Sequence, residues 1–285
     1  MDNVSQVVIV GPTASGKTGL SIDLAAKFKG QIISADSRAI YKDLDIGTAK
    51  PSLEERRGIV HYGLDLVYPD QRFSSMKFKK YAKEKVKKIQ NEGKMPIIVG
   101  GSGLYIDSYL FDYHPPAVDK RKINKYENLT TEELQNIIRS KKYIMPKNDK
   151  NKLHLINAIL RQGKIPQKND QPISGSLIIG LSPSKESLRS AIKSRADCMF
   201  ETGVIEEAEL AFKKYGYSAP GLKGGIYAEL VSYFQGKTDL NTVKENFIKS
   251  DLNLAKRQMT WFKRNKYIKW FESANEAKKV MGLLN

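Results

Sequence analysis

The stretch Gly11-Pro12-Thr13-Ala14-Ser15-Gly16-Lys17-Thr18 sets a glycine, four residues and then Gly-Lys-Thr in the spacing of a phosphate-cradling loop. Its glycines let main-chain N–H groups turn toward phosphate oxygens at a helix start. Lys17 adds a point charge, and the Thr18 hydroxyl suits a magnesium ion. A kinase or ATPase built on this loop needs a second acid at the end of another strand. The apolar run Ile97 to Val99 instead enters "GGSGLY" with no carboxylate, and the acid follows "IISA" as Asp36, ahead of Ser37 and Arg38. There it could hold magnesium, take a proton from an attacking nucleophile, or cap the next segment.

Positioning these residues requires strands that end beside one another. Val7 to Val10 is a short β-branched run before the loop, and "GLSIDLAAKF" after it has helical apolar spacing. Ile32 to Ala35 predicts a second strand, "MKFKKYAKEKVKKIQNEGK" a helix stopped by Gly93, and "MPIIVGGSGLYIDSYLF" a strand, glycine turn and helix. Alternating strands and helices predict an α/β fold: a doubly wound parallel sheet whose ligands gather at the carboxyl ends of its strands. The pattern stops at Pro115-Pro116. Expected are a first part of the core over 1–114, a small, mainly helical inserted subdomain over 115–150, and a second part over 151–285 with a helical C-terminal region. "KLHLINAILRQGK" reads as a helix and "SLIIGL" as a further strand of the sheet.

The chain has 285 residues, 40% of them apolar, enough for a proper core, and a net charge of +17. No window is apolar enough to span a membrane, and "MDNVSQ" lacks a secretion-signal layout, so no membrane partner and a cytoplasmic location are expected. The charge favours a polyanion, though anionic surfaces and plain solubility also fit. Asp119 to Lys164 carries twelve Lys/Arg against five Asp/Glu, and Lys256 to Lys269 six basic residues and no acid. In the second run Trp261, Phe262, Tyr267 and Trp270 interleave with the charges, as for unstacked bases, or simply as core aromatics beneath a solvated face. The run Lys77 to Lys94 reads as a solvated helix face. Cys198, the single cysteine, is expected as an inert core thiol. His61, His114 and His154 lack ligand spacing and are read as surface or packing residues.

In order and spacing, "GPTASGKT", "ISADSRAIYKDLDIGTAKP", "HYGLDL" with "FSSMKF", "PIIVGGSGLY" and "LAKRQMTWF" resemble the tRNA dimethylallyltransferase (isopentenyl-tRNA transferase) family over residues 7 to 110 and again from about 176 to 270. The resemblance implies transfer of a dimethylallyl group from its diphosphate to N6 of the adenosine 3′ of a tRNA anticodon, with Mg2+ as cofactor. It implies Asp36 as general base, and Thr13 and Lys17 as catalytic groups beside the diphosphate. Gly11 to Thr18 and Arg195 would bind diphosphate or nucleotide, and Thr18 the metal. Asp36, Ser37, Arg38, Ala39, Ser102, Lys256 and Arg257 would meet tRNA, with Ser102 near the flipped base. A monomer is expected.

Departures gather in the second half. His154, Asn157 and Leu160 stand at family Arg, Arg and Glu positions, and Ala191 and Leu252 where arginines are usual. Tyr227 and Glu229 are retained. Lost arginines remove phosphate and tRNA contacts. Alternatives are an adenylate (AMP, ADP or ATP) isopentenyltransferase, a P-loop kinase or ATPase, and a non-catalytic tRNA-binding paralogue.

Overall fold

Six strands make one parallel sheet in the computed structural model, which describes residues 4–116, 118, 120–280 and 282. The chain runs β1 (Gln6–Val10), α1 (Lys17–Lys27), β2 (Gly30–Ser34), β3 (His61–Tyr62), α2 (Ser75–Asn91), β4 (Met95–Gly100) and α3 (Gly103–Leu110). Then come α4 (Asn124–Glu127), α5 (Thr131–Ser140) and α6 (Lys152–Leu160), and the sheet resumes at β5 (Ser176–Leu181). Four helices follow, α7 (Lys185–Glu201), α8 (Val204–Tyr215), α9 (Ile226–Phe234) and α10 (Leu240–Phe262), with β6 (Lys269–Phe271) and α11 (Ala274–Val280) last. The sheet order is β3-β2-β4-β1-β5-β6, and every neighbouring pair is parallel. The doubly wound sheet expected from the sequence is present.

Central strands read as unbroken apolar runs because helices cover both their faces. β1 is buried at all five positions. On one face Val7, Ile9, Ile32, Ile97, Val99 and Ile179 pack with Leu20 and Leu24 of α1 and Ala277 of α11. On the other, α2 and α3 meet through Phe78 and Tyr105, whose rings stack 4.6 Å apart. α2 starts where Ser74 accepts the N–H of Lys77, and its lysines are mostly solvated as expected, except Lys79, which is buried.

The loops after β2 and β4 are held together by a close main-chain approach. A Cβ on Gly100 would lie 2.1 Å from the Ala35 carbonyl oxygen, so only glycine permits the contact. The segment after β4 therefore lies against Ala35 and Asp36.

Phe111–Asp170 is a compact unit of its own, apart from the unit that carries the sheet. It is longer than the expected 115–150 insertion. α5 opens with a Thr130–Glu133 capping box and presents Leu134 and Ile138, which Leu155, Ile156, Ile159 and Leu160 of α6 cover. The helix at 152–160 thus belongs with the insertion, because the apolar stripe of so short a helix needs a partner.

Cys198 is exposed, not in the core. On α7 the buried stripe is Ile192, Ala196 and Met199; Cys198 lies two residues, about 200°, beyond Ala196 and faces solvent. Gly203, at φ 100°, separates α7 from α8, and no helix among the described residues is long and apolar enough to cross a membrane.

Candidate active site

At the carboxyl end of β1 the chain enters the glycine loop, with Gly11 at φ 148° and Ala14 at φ 58° before Gly16, at φ 84°, leads into α1. Gly11 is also fixed by space: a Cβ there would sit 2.7 Å from the carbonyl oxygen of Leu181 in β5. Lys17 Nζ donates to the Pro12 carbonyl and, at 3.3 Å, to Ser15 Oγ. Lys17 as a residue is half-buried, but its ammonium is enclosed by the loop. Burial brings it down to about 8, offset in part by the Asp36 carboxylate and deepened by the Arg195 guanidinium. Thr18 is exposed in the first turn of α1.

Asp36 follows β2 and faces the same loop. Its Oδ1 accepts the main-chain N–H groups of Arg38, at 2.7 Å, and Ala39, at 3.4 Å, which fixes the carboxylate in an Asx turn. Among the described residues Oδ2 accepts no hydrogen bond. The capping and chemical readings of Asp36 are therefore compatible: one oxygen holds the turn and the other is available. Ser102 Oγ, after β4, accepts the N–H of Ser37 at 2.9 Å and donates to Ser37 Oγ at 3.0 Å. Arg38 reaches across to the Gly221 carbonyl at 3.4 Å, and Ala39 is buried.

Two helices close this end of the sheet. From α7, Arg195 Nη1 donates to Thr13 Oγ1 at 2.5 Å while Nη2 pairs with Asp251 of α10. Also from α10, Gln258 Oε1 accepts the Thr13 N–H at 2.7 Å, and Gln258 Nε2 donates to the Gly101 carbonyl at 3.0 Å. Trp261 Nε1 donates to Asp107 of α3 at 2.8 Å, and Phe262 is fully buried. These two aromatics of the basic run are thus engaged within the protein. Lys256 and Arg257, singled out from sequence, are exposed on α10 next to Gln258 and do not join the polar cluster around Thr13.

The IPP transferase family model matches residues 39–265. A tRNA dimethylallyltransferase of Acetivibrio thermocellus is 38% identical over 95% of this chain and 91% of its own length. The chain belongs to the IPP transferase family. A second relative, the tRNA dimethylallyltransferase of Macrococcus caseolyticus, is 34% identical over 96% of this chain and 92% of its own. Among solved structures, the tRNA isopentenylpyrophosphate transferase of Staphylococcus epidermidis superposes with a TM-score of 0.72 at 33% identity, covering 97% of both chains. A eukaryotic dimethylallyltransferase acting on tRNA gives 0.74 at 25% identity, over 91% of this chain and 70% of that one.

In this IPP transferase the stretch after Asp36 is braced from α8. Glu207 accepts the main-chain N–H groups of Asp45, Ile46 and Gly47 at 2.6, 2.8 and 2.9 Å and also the Tyr227 hydroxyl. A Cβ on Gly47 would fall 2.5 Å from the Tyr227 ring, so "DIGTAK" needs glycine there. Lys50 Nζ closes the stretch onto Asp45 and Asp65, at 2.6 and 2.5 Å. Sequence reasoning missed Gln258, Asp251 and Glu207. A signal existed for two: Asp251, Ala255, Gln258 and Phe262 recur at i, i+4, i+7 and i+11 on one face of α10, an apolar stripe interrupted by two polar residues.

Proposed function

We propose that this IPP transferase moves a dimethylallyl group from dimethylallyl diphosphate to N6 of the adenosine 3′ of the anticodon in tRNA, releasing diphosphate. The observation that carries this reading is Asp36: a carboxylate fixed through one oxygen, close enough to the phosphate loop for its charge to act on both Lys17 and Arg195. Cleaving the allylic carbon–oxygen bond builds negative charge on the departing diphosphate. Loop N–H groups, Lys17, the Thr13 hydroxyl and Arg195 would be the donors that stabilise that charge. The weakly nucleophilic adenine amine loses a proton on attack, and Asp36 Oδ2 accepts it. The adenine must leave its stack to reach Asp36, and Ser37, Arg38, Ala39 and Ser102 would meet it there. Lys256 and Arg257, exposed on α10, fit contacts to the tRNA backbone.

Among the described residues no group of three or more His, Cys, Asp or Glu could hold a metal. The exposed Thr18 hydroxyl in the first turn of α1 is a single hard oxygen, and it fits a cation such as Mg2+ that would draw its other ligands from diphosphate and water. Bound there, Mg2+ would neutralise charge on the leaving diphosphate.

The test offers labelled dimethylallyl diphosphate with Mg2+ to tRNA, an anticodon stem-loop and AMP separately. Label on tRNA or stem-loop is expected. Label on AMP alone would make the chain an adenylate isopentenyltransferase, and binding of tRNA without transfer would make it a non-catalytic paralogue.

A further inference from the structure

Arg195 carries more than a contact to Thr13. Its second terminal nitrogen pairs with Asp251, which is only 5% exposed, and its Nε is buried with no hydrogen-bond partner. Lys17 and Arg195 are, among the described residues, the two cationic side chains bonded to the phosphate loop. So the loop is served by few cations, and one of them is already matched to a buried anion.

We propose that Asp251 is a positioning residue that sets the site's affinity for diphosphate: it aims Arg195 at Thr13 while cancelling part of the guanidinium's charge. The inference rests on the reading that this loop holds a diphosphate. Orientation and charge are separable chemically. An asparagine keeps a side-chain carbonyl oxygen to accept the Arg195 N–H but removes the negative charge. An anion binding one guanidinium width away then meets an uncompensated cation. A buried charge left without its counter-ion also favours any anion that restores the pairing. With an effective dielectric near that of a protein surface, and allowing for solvent, the expected gain is about three- to tenfold in affinity. A residue that served packing alone would give the opposite sign or none.

The experiment measures inorganic pyrophosphate binding at fixed Mg2+ by titration calorimetry for the full chain and its Asp251→Asn and Asp251→Glu variants, with melting temperatures with and without pyrophosphate. Asp251→Asn is expected to bind about three- to tenfold tighter, to melt lower alone, and to gain more from pyrophosphate than the parent. Asp251→Glu, which restores the charge, is expected within about twofold of the parent. An Asp251→Asn protein that binds pyrophosphate equally or more weakly, or one that fails to fold while Asp251→Glu binds tighter than the parent, overturns the inference and leaves the diphosphate reading standing. A parent chain with no affinity for pyrophosphate overturns both.

Discussion

The side-chain carbonyl of Gln258 accepts the main-chain N–H of Thr13 at 2.7 Å, joining α10 to the phosphate loop across 245 positions of sequence. The same amide donates to the Gly101 carbonyl, so one side chain fixes the loop after β1 against the loop after β4. Gln258→Ala would leave an N–H and a carbonyl unpaired, at about 1–3 kcal/mol each when shielded from water. The expected outcome is a kcat/KM for the prenyl donor lowered by about ten- to a hundredfold, with the far-ultraviolet circular dichroism unchanged. A variant with parental kcat/KM would show that the bridge does not position Thr13.

Asp36→Asn keeps an oxygen to accept from Arg38 but cannot take a proton. Transfer should fall by about 10²- to 10⁴-fold, while pyrophosphate affinity stays close to parental. Rapid-quench assay of alkylated RNA checks the first and calorimetry the second. An active Asp36→Asn enzyme would remove Asp36 as the base.

Lys17 gives a pH signature. Because burial holds its ammonium at about 8, the free enzyme loses that charge as pH rises through 8, and kcat/KM for the donor should decline there. A bound diphosphate favours the charged form, so the decline in kcat should lie at higher pH. Stability moves the other way: between about 8 and the unfolded value of 10.5 the unfolded chain binds more protons, so this group's contribution makes the fold more stable as pH rises. Pre-steady-state donor-binding rates across pH 7 to 10 measure the first effect. A flat profile, or one unchanged in Lys17→Met, would assign the charge elsewhere.

Glu207 holds three consecutive N–H groups of the segment that follows Asp36 in sequence. Glu207→Ala should cost about 2 kcal/mol of stability, and Tyr227→Phe about 1. Urea unfolding measures both. Tyr227→Phe should also leave pyrophosphate affinity unaltered, since Tyr227 bears on the bracing segment and not on the phosphate loop.

Cys198, being exposed, should react with a thiol reagent in the folded protein without loss of transfer activity. Slow reaction that speeds up only in denaturant would return it to the core.

The fold was legible where pattern is local. β1, β4 and β5 are unbroken apolar runs because they lie mid-sheet, and the glycine loop announces the strand and helix beside it. Asp36 was legible because acid after apolar strand is a pattern of adjacent residues. Less visible was whatever depends on partners far away in sequence. Gln258 and Asp251 acquire their roles from Thr13 and Arg195, and nothing within a helical window of α10 names those partners. The boundary of the insertion failed similarly: α6 resembles any apolar helix until α5 shows which stripe it must cover. Cys198 was misplaced through helix phase, where one residue's shift turns a side chain by about 100°.

The central claim is that the phosphate loop holds a leaving group. Its most direct test incubates the chain with dimethylallyl diphosphate, ATP, Mg2+ and tRNA, then counts released pyrophosphate and inorganic phosphate against modified nucleosides by mass spectrometry. The account predicts one N6-dimethylallyl adenosine, located 3′ of the anticodon, for each pyrophosphate released. Inorganic phosphate set free from ATP, with no alkylated adenosine in the tRNA, would contradict it.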